Sequence, residues 1–194
     1  GTYTDEATGS PMNMASGDVM TAILPTVAVN ATMSGIQITP LTSMAQTMAQ
    51  NLTGGMTDAN IMSANAAIGS YFLVSDILRV SPMNPLVAGS GSTANQDTMN
   101  YGMSIAAMSE YARGLGMTSS SAMVTAMHND AEDGTMDGAM SGTPINMSGM
   151  GGMMGGGHMI STAGTEELAA AMAAFINGPM NRSGVTSVAE MQPL

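Results

Sequence analysis

The 194-residue chain has no cysteine, no tryptophan and no lysine, and little charge of either sign. Without cysteine there are no disulfides, iron–sulfur clusters, thiolate zinc sites or covalent c-type haem attachment, and the redox compartment is left open. The basic residues are Arg79, Arg113 and Arg182, set against fourteen carboxylates for a net charge of −11. Three arginines give little with which to neutralise phosphates or meet an anionic surface, so nucleic acid is not expected as a partner and anionic membrane is a poor one. Long apolar runs are missing too. Residues 19–57 carry no charge, but Pro25, Pro40 and many Thr, Asn and Gln interrupt them, and no membrane insertion is expected.

Catalytic constellations are equally scarce. A hydroxyl nucleophile needs a base beside it, and neither His128 nor His158 stands in a nucleophile-elbow context. GSGSTAN, residues 89–95, lacks the lysine and the strand-to-helix frame of a phosphate loop. Glu110, Glu166 and Glu167 read as helix-surface carboxylates. The chain is expected not to be an enzyme.

What is present suits one domain, or one domain with an appendage. Abundant Ser, Thr, Gly, Ala and Asn without lysine point to an exported bacterial protein, whether extracellular, on the cell surface or periplasmic. The opening GTYTDEATG has no signal-peptide character and reads as the interior of a longer precursor or a processed end. Sequons at Asn30, Asn51, Asn146 and Asn181 are as many as so Asn- and Ser-rich a chain yields by chance.

Residues 1–38 carry β signals: TYT, VMTAILP and TVAVNATMSGIQITP show partial alternation with turn residues between them. A few strands bury little alone, so this segment is expected to complete a sheet with a neighbouring domain or subunit. From Thr39 the period becomes helical. Thr39 is placed to cap PLTSMAQTMAQNL with Pro40 at its first position, and Leu41, Met44, Ala45, Met48 and Leu52 share a stripe. Thr57 is placed to cap TDANIMSANAAIGSYF, with Ile61, Met62, Asn65, Ile68 and Phe72 inward. SDILRVSPMNPLV reads as a short helical turn closed by Pro82 and Pro85. Further helices are expected from Asp97 to Leu115, over 118–130, from Thr165 with Glu166 and Glu167 at its positive end, and from Val185 to Met191. The expected class is mainly α (α+β): N-terminal strands over 1–38, then a multi-helix bundle over 39–194 with a flexible Gly/Met-rich loop at 134–164.

Together GTYTDEATGS, ITPLTSMAQTMAQNLT, TDANIMSANAAIGSYF, MVTAMHNDAEDGTMDG and ELAAAMAAFINGPMNRSG resemble the helical module that follows an immunoglobulin-like β-domain in large exported bacterial surface proteins. The resemblance spans most of the chain on degenerate patterns, with Met here where Leu is usual. It implies a mostly helical, surface or periplasmic unit with no known reaction. A structural or interaction module is therefore expected, binding protein by self-association or through a neighbouring β-domain.

Two stretches could hold metal. Many of the twenty-five methionines fall at helical spacing, as in Met44/Met48, Met99/Met103 and Met123/Met127, and read as adaptable core filler. Met136, Met140, Met147, Met150, Met153, Met154 and Met159 instead crowd a glycine-rich stretch with His158. Thioether and imidazole suit Cu(I), and Met150, Met153, Met154, His158 and Met159 are its candidate ligands in a cell-envelope copper-binding protein. The competing reading is a flexible or interface-packed linker. In HNDAEDGTMDG, Asp130, Glu132, Asp133 and Asp137 offer hard oxygens for Ca²⁺. Their spacing departs from an EF-hand, since position 12 of the loop would be Ser141; the alternative is a helix end with solvated carboxylates.

Overall fold

The computed structural model describes residues 1–14, 16–117, 119–145 and 163–188. Five helices dominate: α1 (Pro40–Asn51), α2 (Asp58–Tyr71), α3 (Gln96–Gly114), α4 (Ser121–Asp130) and α5 (Ala163–Asn177). Two antiparallel hairpins accompany them, β1 (Thr2–Asp5) with β2 (Ser10–Asn13), and β3 (Ala139–Met140) with β4 (Thr143–Pro144). The mainly α, α+β class expected from the periodicity is the class observed.

Helix starts follow local chemistry. The Thr39 hydroxyl accepts from the Thr42 amide and the Thr42 hydroxyl accepts from the Thr39 amide, a reciprocal cap, with Pro40 at the first helical position. Thr57 caps α2 through the Asn60 amide and Asn95 caps α3 through the Thr98 amide. The methionine core filler is as expected: Met44, Met48, Met103, Met123 and Met127 are all buried. Met62 is not. It is 56% exposed, because α2 turns Ile61, Ala64 and Ile68 inward and leaves the next position outside.

α3 is the central element, packed on α5 on one side and on α4 on the other, and it is buried almost all round from Asn100 to Ala112. Glu110, expected on the surface, therefore lies buried and ion-paired with Arg113. α3 also approaches the 80–87 connector so closely that a Cβ on Gly102 would sit 2.0 Å from the Met83 carbonyl oxygen.

Tyrosine hydroxyls tie the helices together. Tyr101 donates to the Ile77 carbonyl at 2.8 Å and so accepts from the Thr39 hydroxyl at 2.6 Å, joining α3, the connector and the cap of α1. Tyr71 on α2 meets Thr165 in the first turn of α5 at 2.8 Å. Tyr3 on β1 meets Ser119 and Ser120 at the start of α4, and the Ser121 amide donates back to it at 3.1 Å. The N-terminal hairpin is thus packed against the helices.

Beyond that hairpin the expected strands are not formed. Residues 18–38 run irregularly, and side chains of α1 and α2 satisfy their backbone where a ladder would have done so. The Thr21 amide donates to the Ser43 hydroxyl, the Thr21 carbonyl accepts from Thr42 and Ser43, Thr26 donates to Asp58, and Asn65 donates to the Ile23 carbonyl. Hydroxyl and amide groups at the helix surface compete successfully with strand pairing. SDILRVSPMNPLV forms the short turn expected of it, with the Arg79 and Val80 amides donating to the Asp76 carbonyl ahead of Pro82. The expected C-terminal helix is absent over Val185–Val188, and the remainder of its span lies outside the described residues.

Tyr101→Phe should lower stability by about 1–3 kcal/mol, because it leaves the buried Ile77 carbonyl and Thr39 hydroxyl without their partner. Gly102→Ala should cost at least as much, about 1–3 kcal/mol of overpacking against backbone that cannot rotate away. Urea unfolding midpoints check both, and wild-type midpoints would refute the packing described.

Candidate functional site

The acidic turn follows α4, where residues 131–133 make one 3-10 turn before the β3–β4 hairpin. Its carboxylates face backbone amides. Asp130 Oδ1 accepts from the Gly138 amide at 2.7 Å, Asp133 from the Thr135 amide and hydroxyl and from the Ser141 amide, and Asp137 from the Ala139 amide at 2.9 Å. Asp130 and Asp133 thus each reach eight residues ahead, and the pair holds the hairpin against the end of α4. Among the described residues no three acidic or histidine side chains are grouped to hold a metal ion. Asp130, Glu132, Asp133 and Asp137 are neighbours in sequence without converging on one point. The order DAEDGTMDG, with an acid ahead of each Gly-containing bend, was also a signal for amide-accepting turns.

Asp130 is the unusual member. It is 1% exposed, and its Oδ2 has no hydrogen-bond partner. Burial pushes its carboxyl up to about 7; the Gly138 amide opposes the rise, and Asp137 and Asp133 add to it. Tyr71 and Tyr111 lie within its electrostatic reach. His128, two residues earlier, is half-buried with Nε2 unpartnered, and burial holds its imidazole below the usual value despite nearby Glu132. Neither group touches a nucleophile among the described residues.

Of the unpatterned methionines, Met136 is buried in the core and Met140 is 40% exposed. Met147, Met150, Met153, Met154, Met159 and His158 lie outside the described residues.

A surface that the sequence presented only as a strand is the segment 26–35, TVAVNATMSG. Every one of its residues is exposed, Val29 at 90%. Its ends are fixed, at Thr26 by Asp58 and at Ser34, whose carbonyl accepts from Arg79. Between those ends the Ala31 amide donates to the Ala28 carbonyl, and Asn30 adopts a left-handed φ of 64°. Val27, Val29, Ala31 and Met33 alternate with smaller or polar residues, the period of a half-buried strand, yet no strand among the described residues faces them. Val19, Val27, Val29, Met33 and Ile38 make residues 19–38 the main concentration of exposed large apolar side chains. No helix among the described residues is long and apolar enough to cross a membrane.

Comparison with protein-family models, with curated proteins and with solved structures finds no match for this chain.

The Asp130 environment sets a pH dependence. Its carboxyl is raised in the fold above the unfolded value of 3.8, so the folded state holds more protons between pH 4 and 7. Its contribution is complete below about pH 4 and lost as pH rises through about 7, worth roughly 4 kcal/mol at most. His128 works in the opposite sense, its contribution appearing as pH rises. Asp130→Asn keeps the acceptor for Gly138 and should be more stable than wild type at pH 8, with the difference shrinking towards pH 4. Denaturation series at several pH values read this directly, and a pH-independent difference would dismiss the buried carboxyl as its source.

Proposed function

We infer that the chain is a non-enzymatic structural or interaction module of an exported bacterial surface assembly, attached through residues 26–35 to the edge strand of a neighbouring β-domain. The observation that carries this reading is the exposed alternation of Val27, Val29, Ala31 and Met33 on a backbone with few internal partners. Such a segment satisfies its amides and carbonyls by adding to a sheet edge and buries one apolar face in doing so. The strands among the described residues are two to four residues long, too short to pair with a ten-residue segment, which favours an edge from a neighbouring domain. Charge supports the choice: residues 26–35 carry none of their own, so the docked face itself buries no ion, while the net charge of −11 opposes indiscriminate self-association. The likeness of the helical segments to modules that follow immunoglobulin-like domains points the same way.

The reading is tested on the native surface material. Val29→Pro removes a donor and Val27→Asp places a charge on the proposed buried face. Each should leave the unfolding free energy within about 0.5 kcal/mol of wild type, since the segment is exposed. Sedimentation and electron microscopy should show assembly reduced or lost. Unchanged assembly in both variants would overturn the proposal, and assembly that requires only purified copies of the chain would replace the neighbouring domain with a second copy.

A further inference from the structure

A second feature includes none of residues 26–35. Between β1, the start of α4 and the middle of α3 is a half-open pocket of about 200 Å³, walled by apolar groups of Met20, Ile105, Met108 and Val124. A second pocket of about 170 Å³ shares Glu6 and Ile105 with it and extends towards Pro82 and Pro85. Glu6 therefore stands at the junction of two apolar cavities, a position that costs a carboxylate much of its hydration.

The Glu6 carboxyl has one side-chain donor, the Ser109 hydroxyl, at 2.7 Å to Oε2. Ser109 is itself 4% exposed, so the pair is built into the pocket wall. The charged group that acts on Glu6 is Asp5, which is of the same sign, and burial pushes the Glu6 carboxyl up. The chain has three arginines and no lysine. Arg113 is paired with Glu110, Arg79 donates to the Ser34 carbonyl, and Arg182 is exposed and meets Pro85 through its backbone amide. None of them lines either pocket.

We propose that this pocket binds an alkylammonium ion, with the Glu6 carboxylate, fixed by Ser109, taking the ammonium and the walls of Met20, Ile105 and Met108 taking the alkyl chain. Polarity selects the class. A carboxylate in an apolar cavity without its own cation is complemented by a cation on an apolar stem, whereas an anion would meet the Glu6 carboxylate and a neutral alcohol would leave the charge unpaired. Size restricts it further: about 200 Å³ is below the roughly 300 Å³ at which pockets begin to accept drug-sized molecules.

Met20 and Met108 provide the readout. Carbon-13 labelling of methionine methyl groups lets both pocket residues be followed by NMR in the intact protein, with buried Met44 and Met127 elsewhere as monitors of the fold. Hexylammonium should shift the Met20 and Met108 methyls saturably at neutral pH and leave Met44 and Met127 in place. Hexanol and hexanoate should bind at least about tenfold more weakly, and Glu6→Gln should remove that preference for the ammonium. Should Glu6→Gln disturb the Met44 and Met127 signals, the wild-type protein still decides the matter: hexylammonium affinity must fall as pH is lowered through the Glu6 titration while hexanol affinity stays constant. Nα-acetyl-lysine methylamide separates the two sources of an alkylammonium, binding as well as hexylammonium if the group belongs to a lysine side chain and more weakly if it belongs to a free amine. Absence of saturable shifts at Met20 and Met108 with both ammonium probes, or equal affinity for hexanol and hexylammonium, would overturn the proposal.

Discussion

The hydroxyl group of a buried tyrosine is the interaction on which this fold most depends. Three tyrosines reach from one element to the first residues of another: Tyr101 to the cap of α1, Tyr71 to the first turn of α5, and Tyr3 to the serines that open α4. Each ring contributes apolar area, and each hydroxyl requires a partner once it is out of water. Burial pushes Tyr71 and Tyr101 up to about 12, so both remain neutral donors throughout the physiological range. With so few charges, the molecule has neutral hydroxyl contacts where other proteins use ion pairs, and it avoids the desolvation that a buried ion pair would incur.

The same economy of charge shapes the rest. Acids that could have met cations meet amides: Asp130, Asp133 and Asp137 order the turn after α4, Asp18 accepts from the Ser121 and Thr125 hydroxyls at the start of α4, and Asp97 holds Ser75. Negative groups near helix starts also lie at the favourable end of the dipole. Where helix side chains take up the backbone of residues 18–26, that stretch is settled without a sheet. Where they stop, at residue 26, the chain is left open to water or to a partner.

Local chemistry was readable in advance. A cap is made within three residues of itself, so Thr39 and Thr57 announced α1 and α2, and α3 began within one residue of its expected start. Methionine periodicity marked the core for the same reason, since spacing along a helix decides which side chains share a face. Glu110 could not be placed in this way. Its surface position would hold for a helix with one solvent face, and α3 has none, a fact that depends on α4 and α5 arriving from elsewhere in the chain. Met62 differs from Ile61 only in which of two adjacent positions the neighbouring helix covers.

The candidate sites divide along the same line. The acid spacing in DAEDGTMDG was visible, but whether four carboxylates converge on an ion or turn away to amides depends on the path of the backbone between them. Glu6 carried no signal at all; its setting arises from a hairpin, α3 and α4 meeting more than a hundred residues apart in the chain. Periodicity determined the helical class, and short-range capping determined where most helices begin, because those effects act over a few bonds or turns of the chain. Only the tertiary structure decided that the β-prone N-terminal stretch would be held by side chains, which acids would be buried, and which apolar residues would stay outside, because each of those outcomes is a competition between partners distant in sequence.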